Sequence, residues 1–257
     1  MTTDEHIRTL CREWDAGRHM PPELMGKLSF DEAYRVLFGL LAHLEGKGEH
    51  QVGWKVGLTA EAMRAQFGAK EPCLGILFES GHRQSGHVFK HADLIEPGFE
   101  NELCLTIGKT LRGPGVTLEA AAAAVTHVAP ALEIVENRGP FTKDIALALA
   151  DNAQQKAFVT GAETASRAGG AQALAAASVD VSVNGTSQEM APATAVMGGG
   201  PLVSVVWLAN KLAEFGLAIE PGSRIMSGSF TKQYRPAAGD RIEARFAPFG
   251  AVTAQFT

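Results

Sequence analysis

The sequence predicts an α+β domain with a helical section at its N-terminus. Three observations carry that expectation. Apolar residues recur at helical spacing early in the chain, beginning with Ile7, Leu10, Cys11 and Trp14. Further on they recur with period two, as over residues 99–107, 242–246 and 252–256. Turn dipeptides separate such runs, most clearly Asn184-Gly185, the pair that suits a two-residue hairpin.

The elements follow in order. The first helix opens at the acidic pair Asp4-Glu5, whose charge favours a helix N-terminus. His19-Met20-Pro21-Pro22 breaks it. A second helix starts at Ser29-Phe30-Asp31-Glu32, where Ser29 and Glu32 have the spacing of a capping box. Val36, Leu37, Leu40, Leu41 and Leu44 form its apolar stripe, and Gly46 its stop. Residues 52–58 read as a strand, and Thr59 is placed to cap a short helix ending at Gly68. Residues 75–78 are a short apolar run, and residues 99–107 an alternating strand. A helix is expected from Thr117 through the alanines at 120–124, then a strand over 131–135. Residues 144–159 read as helix, and 161–177 as surface helix and loop. Val179, Val181 and Val183 lead into the Asn184-Gly185 hairpin. Gly198-Gly199-Gly200-Pro201 opens a helix burying Leu202, Val205, Val206, Ala209, Leu212 and Phe215, with proline in its first turn. The last two alternating runs form a hairpin about residues 248–250. With no solenoid repeat and no long linker, residues 1–50 are read as the helical section and 51–257 as one compact unit carrying the chemistry.

Composition excludes several function classes. At 257 residues and 46% hydrophobic, the chain can bury a core without disulfide or metal staples, and it is too apolar for a disordered chain. A net charge of −5 with scattered Lys and Arg argues against a nucleic-acid surface. No apolar run is long enough for a membrane span, and the first residues lack the features of a signal peptide, so a cytoplasmic protein is expected. Cys11, Cys73 and Cys104 are odd in number and form no CxxC pair, which suits reduced thiols rather than zinc or redox chemistry.

Glu100 and Glu102 carry the most information. Two apart in a strand, they leave the same face, while Leu103, Leu105 and Ile107 take the opposite, buried one. Neighbouring carboxylates repel, and a hard divalent cation removes the conflict. A solvated strand face is the plain alternative. Glu133 lies within the apolar run Ala131-Leu132-Glu133-Ile134-Val135 and needs a partner, either Arg138 or a cation shared with the other two acids. Lys55 interrupts an apolar strand between glycines; it is either a snorkelling edge lysine or a group that meets a substrate carboxylate.

Several stretches in order resemble the 2-keto-4-pentenoate hydratase and 4-oxalocrotonate decarboxylase group of the fumarylacetoacetate hydrolase superfamily. They are Gly53-Trp54-Lys55-Val56-Gly57-Leu58, Phe99-Glu100-Asn101-Glu102-Leu103, residues 130–138, Ala150-Asp151-Asn152 and Gly228-Ser229-Phe230-Thr231, with Trp207-Leu208-Ala209-Asn210 on a helix. The resemblance implies a mixed β-sheet roll with outer helices. It implies Mg²⁺ or Mn²⁺ held by Glu100, Glu102 and Glu133, with Lys55 as the active-site lysine. Glu79 falls where the family usually carries an aspartate taken to move protons, so it is expected to be catalytic. Gly228, Ser229 and Thr231 are expected to line the far side of the substrate pocket. Asn101, Glu136-Asn137-Arg138 and Gln154-Gln155 depart from the family's usual residues, the last pair where small or hydroxyl residues are common.

The implied activity is addition of water to a 2-hydroxy-2,4-dienoate or its 2-oxo tautomer, giving a 4-hydroxy-2-oxo acid in aromatic catabolism. The Gly228–Thr231 stretch looks closer to hydratases of longer or diacid dienoates. Decarboxylation of a 2-oxo-3-enedioate uses the same site and is the runner-up. Acylpyruvate C–C hydrolysis ranks lower, because His43, His50, His82, His87, His91 and His127 offer no His–Glu pair in the sequence. A non-catalytic partner subunit is weighed against the intact acids and lysine. A dinucleotide enzyme is set aside because Gly198-Gly199-Gly200 is no GxGxxG. The family implies a homo-oligomer, with a pathway aldolase or sister lyase as a partner.

Overall fold

Two capped amphipathic helices begin the chain. The computed structural model describes residues 1–139, 143–166 and 170–257. Helix α1 (Thr3–Asp15) is opened by a capping box, since Thr2 Oγ1 accepts from the Glu5 N–H and Glu5 accepts from the Thr2 N–H. Helix α2 (Phe30–Glu45) has the Ser29/Glu32 box that the spacing predicts, and Gly46 caps its end.

Strand β1 (Gln51–Gly57), helix α3 (Glu61–Phe67) and strand β2 (Cys73–Phe78) follow. The cap of α3 is Ala60 with no side-chain bond, so Thr59 is not its cap. Thr59 is instead buried against Gly228, where an added Cβ would lie 2.3 Å from Thr59 Cγ2. Short strands β3 (His82–Gln84) and β4 (His87–Phe89) precede the long β5 (Pro97–Ile107). Helix α4 (Leu118–Ala124) is capped by Thr117 as expected. Strand β6 (Val125–Glu136) starts before the expected residue 131, because it pairs with β5 along nearly its whole length.

The expected helix over 144–159 is only half helix. Helix α5 (Ile145–Ala150) ends at Asp151, and strand β7 (Gln155–Thr160) takes the rest. Pairing of β7 with β6 on one side and β3 on the other decides its conformation, overriding local preference. Strand β8 (Thr164–Ala165) and helix α6 (Gly170–Ala175) follow. Strands β9 (Ser178–Val183) and β10 (Thr186–Pro192) form the expected hairpin, with Asn184 and Gly185 both left-handed at φ 52° and 79°. Helix α7 (Pro201–Ala213) buries Leu202, Val205, Ala209 and Leu212. Strands β11 (Arg224–Met226), β12 (Arg241–Ala247) and β13 (Gly250–Phe256) complete the chain.

The strands form two curled mixed sheets, so the α+β class and β-roll are as the sequence led one to expect. The larger runs β2-β1-β11-β5-β6-β7-β3, with β8 on β6; the smaller runs β10-β9-β12-β13-β4. The parallel approach of β11 to β1 needs Gly53, since a Cβ there would lie 1.8 Å from the Arg224 carbonyl oxygen.

The larger sheet is buried on both faces. Trp54, Val56, Phe99, Leu103, Leu105, Leu132 and Ile134 face the main core, which also takes Leu10 and Leu37 from the first two helices. Leu77, Cys104, Ala129, Ala131, Phe158 and Met226 form a second, smaller cluster. Alternation places Lys55, Glu100, Glu102 and Glu133 on that second side. Among the described residues, no helix is long and apolar enough to cross a membrane. Leu37→Ala is expected to cost about 2–5 kcal/mol, and the loss should appear in the unfolding transition of the sheet, followed by circular dichroism. A helical signal lost well before the sheet would separate residues 1–50 from the rest.

Candidate active site

Register brings the acids together. Glu100 on β5 pairs directly with Glu133 on β6, and Glu102 pairs with Ala131 two positions on. Like charges directly opposed across a ladder destabilise it. Glu102 and Glu133 are fully buried and Glu100 half-buried. One carboxylate oxygen from each of the three lies within 4.8 Å of those of the other two.

Lys55 reaches this cluster from β1. Its Nζ lies 3.3 Å from Glu133 Oε1, close enough for ion pairing though not aligned as a hydrogen bond. The Gly228 N–H donates to Glu102 Oε2 at 2.7 Å. Gly228 is left-handed at φ 98° and packed on Thr59, so glycine is required there on two counts. Among the described residues, these contacts leave Glu102 Oε1 and Glu133 Oε2 buried without a hydrogen-bond partner. Orphaned buried carboxylate oxygens are costly, and hard oxygen donors in this number fit a divalent cation. Glu100, Glu102 and Glu133 are therefore the residues able to hold one.

The electrostatics agree. Burial pushes the Glu100 carboxyl up to about 7, with Glu133 adding to the rise and Lys55 opposing it. Glu102 is raised well above the usual carboxylate range, by burial first and then by Glu133 and Glu100. Burial draws the Lys55 ammonium down, but Glu133, Cys73 and the other two acids outweigh it and hold Lys55 above its ordinary value.

A cavity of about 220 Å³ opens beside the cluster. Lys55, Glu100 and Cys73 form its polar floor, and Gly57, Leu58, Met63, Val135 and Ala153 its apolar walls. Asn137, Gln154 and Gln233 add neutral amides. Burial pushes the Cys73 thiol up to about 11, so it stays protonated. A larger cavity, about 710 Å³, lies beyond residues 152 and 155 and is lined by Trp14, Arg83 and Lys90 among others. The three-acid cluster is not part of it, so chemistry is assigned to the smaller space.

Two expectations are corrected. Glu79 is exposed at the start of a 3-10 turn after β2, with its N–H on the His50 carbonyl oxygen. The residue opposite Lys55 is Gly75; Glu79 lies four positions further along, roughly 13 Å at strand rise, and does not line the cavity. Ser229 and Thr231 do not line it either. Ser229 Oγ accepts from the Asn101 N–H, and Thr231 Oγ1 accepts from Asn101 Nδ2 at 2.7 Å. Asn101 alternates away from the acids, so Thr231 holds its side chain on the other face, while Ser229 bonds the main chain of β5. Of that stretch only Gly228 touches the cluster, through its backbone.

Sequence reasoning missed Cys73 as a wall residue and the scaffold behind residues 152–154. Asn152, Ala153 and Gln154 are left-handed at φ 57°, 46° and 62°. Such residues are strained, and three in a row need holding. Arg138 ties the two ends of the run together, donating to Asp151 Oδ2 at 2.9 Å, to the Asp151 carbonyl and to the Gln155 carbonyl. The Asn152 amide ties the run to β2, accepting from the Ile76 N–H and donating to the Ile76 carbonyl. Ala150-Asp151-Asn152, already noted as a motif, was the available signal.

Comparison with known proteins places this geometry. The family model described as fumarylacetoacetate hydrolase C-terminal matches residues 69–257. A 2-hydroxyhexa-2,4-dienoate hydratase of Comamonas testosteroni is 35% identical over 90% of this chain and 88% of its own. A 4-oxalocrotonate decarboxylase of Pseudomonas putida is 34% identical over 90% of this chain and 86% of its own. The solved 4-oxalocrotonate decarboxylase of Pseudomonas putida G7, complexed with magnesium and adipate, superposes with a TM-score of 0.91 at 31% identity, covering 100% of this chain and 99% of that one.

The raised acids set a pH dependence. Glu100 and Glu102 hold protons more tightly folded than unfolded, so the metal-free protein should lose stability as pH rises from about 4.5 through about 7. A bound cation removes that repulsion above this window and must displace protons below it. Excess Mg²⁺ or Mn²⁺ should therefore raise the melting temperature more at about pH 8 than at about pH 5, and Glu102→Gln should shrink the increment. Equal increments at both pH values, unchanged by the substitution, would place the cation elsewhere.

Proposed function

The chain belongs to the fumarylacetoacetate hydrolase C-terminal family, and from that premise we propose that it is a divalent-cation-dependent lyase adding water to a 2-hydroxy-2,4-dienoate. The product is a 4-hydroxy-2-oxo acid. The observation that carries the reading is the buried cluster of Glu100, Glu102 and Glu133, joined to Lys55 at the floor of a small cavity.

A divalent cation held by Glu100, Glu102 and Glu133 would supply Lewis acidity to the oxygen-bearing end of such a substrate. Mg²⁺ and Mn²⁺ both suit an all-oxygen donor set. The chain's own groups then have separable tasks. Lys55 Nζ, at the cavity floor, balances negative charge on the substrate's carboxylate end. The ammonium also donates a hydrogen bond to the C2 oxygen as charge gathers there. Gly228 fixes Glu102 through its backbone N–H, so the acid does not swing when substrate enters. Leu58, Met63 and Val135 keep bulk water from the diene carbons. Ketonisation protonates C5 and leaves an alkene conjugated to the C2 carbonyl; water then adds at C4 and a proton at C3. Glu79 takes no part, being exposed outside the cavity.

Decarboxylation of a 2-oxo-3-enedioate is the second reading. It is favoured by the likeness, over the whole chain, to the solved decarboxylase. The same groups would serve, with the distal carboxylate leaving as CO₂. Acylpyruvate hydrolysis lacks support, since no histidine is among the residues lining the cavity.

The test follows loss of the conjugated absorbance of 2-hydroxypenta-2,4-dienoate with Mg²⁺ or Mn²⁺, with identification of the 4-hydroxy-2-oxo product. CO₂ release from 2-oxohex-3-enedioate as the main activity would move the assignment to the second reading. Lys55→Ala should lower kcat/KM by about 10²–10⁴ while metal-dependent thermal stabilisation persists. Glu102→Gln should abolish metal-dependent turnover in a folded protein; retained turnover would remove Glu102 from the site.

A further inference from the structure

We propose that Gln154 reads the far end of the substrate, and that this end is uncharged. The inference rests on the lyase reading above and narrows it to dienoates ending in hydrogen or a small neutral group.

Lys55, on the floor, is the one cationic side chain among the described residues that line the cavity. It is committed to the carboxylate cluster by its 3.3 Å approach to Glu133. Apart from Lys55, Glu100 and Cys73, the polar groups lining the cavity are the amides of Asn137, Gln154 and Gln233. Arg64, on the helix that supplies Met63, donates from one guanidinium nitrogen to the carbonyl oxygens of Leu58 and Thr59, both at 2.8 Å. A second substrate carboxylate would meet amides and apolar walls without a free cation, and burying a charge so is costly.

Gln154 is the amide built for this position. It is 6% exposed, yet its side chain makes only a 3.9 Å contact with Met20 Sδ among the described residues. The residue stands in the left-handed run clamped by Arg138 and Asn152. Strain held at three successive positions to present one nearly free amide is the arrangement of a site that meets a ligand. Asn137 Nδ2, by contrast, is spent on the Glu96 carbonyl at 2.6 Å, and Gln233 is exposed at the rim. The likeness of the Gly228–Thr231 stretch to diacid hydratases bears little on this end, because Ser229 and Thr231 face Asn101.

Two measurements test the proposal. The first compares kcat/KM for 2-hydroxypenta-2,4-dienoate with that for 2-hydroxyhepta-2,4-diene-1,7-dioate, in the wild type and in Gln154→Arg. The neutral-ended substrate should lead by about 10–100-fold, and the arginine should narrow or reverse the ratio. Gln233→Arg serves where Gln154→Arg does not fold. The second compares binding of the saturated acids 2-oxohexanoate and 2-oxoadipate, with Mg²⁺ present, by calorimetry. Tighter binding of 2-oxohexanoate, with the order changed by the arginine, supports the proposal even if neither dienoate is turned over; that result would sink only the lyase reading. Turnover of both dienoates with the dioate equal or preferred, or a ratio unmoved by either arginine, overturns the inference and leaves the lyase reading standing. Comparable CO₂ release from 2-oxohex-3-enedioate also overturns it.

Discussion

Three carboxylates on the inner side of one curled sheet set the terms for everything around them. Were all three ionised, each pair would repel by roughly 3–4 kcal/mol at the effective dielectric of a protein, and the raised carboxyls of Glu100 and Glu102 register that cost. One lysine offsets one charge, and one backbone N–H from Gly228 relieves one oxygen. The remainder is left for a ligand of opposite charge. A fold under no functional demand would carry an aliphatic residue in place of Glu133, as Ala131 and Val135 on the same face of the strand illustrate. In the centre of β6 and opposite Glu100, it has Lys55 as its one cationic neighbour among the described residues, which leaves two of the three acids unbalanced.

The two-sided burial of the larger sheet explains how such a cluster is kept dry. One face meets the main core, and the other closes over a small cluster of Ala, Cys, Leu, Met and Phe. Lys55 reaches from β1 toward Glu133 past the three-residue strand β11, with glycines at 57 and 75 leaving room for its side chain. Because β11 stops at Met226, the chain turns at Gly228 just where its N–H can meet Glu102. The short strand and the glycine after it thus form one device.

Legibility followed the range of the interactions. Caps and turns were readable because their partners are three residues apart or fewer: Ser29 with Glu32, Asn184 with Gly185. The acids and Lys55 were readable because each breaks an apolar pattern that its strand would otherwise complete. The reverse held where distant pairing decides. Residues 155–160 became a strand because β6 and β3 flank them. Thr59 was drawn from a cap position into contact with Gly228. Glu79 kept its place in the sequence order, but four residues of strand rise carry it away from Lys55. Ser229 and Thr231 were placed at the pocket by family resemblance alone, and in the fold their hydroxyls are taken up by Asn101.

The N-terminal helices are nearer the chemistry than their sequence conveys. The Arg138 guanidinium lies 5.0 Å from the centre of the Trp14 ring, between Glu136 and Asp151. His19 Nδ1 lies 3.4 Å from Asp151 Oδ1, and Met20 touches Gln154. A buried ion pair of this kind is weak evidence for stability, because desolvation cancels much of its attraction. Its value is directional: Arg138 has its donors fixed on Asp151 and on the carbonyls at both ends of the left-handed run, and Trp14 covers its face. The first helix thereby helps hold a segment whose other side forms the cavity wall. Residues 1–50 thus act on the site through packing, not through a reacting group, which is why nothing in their composition announced it.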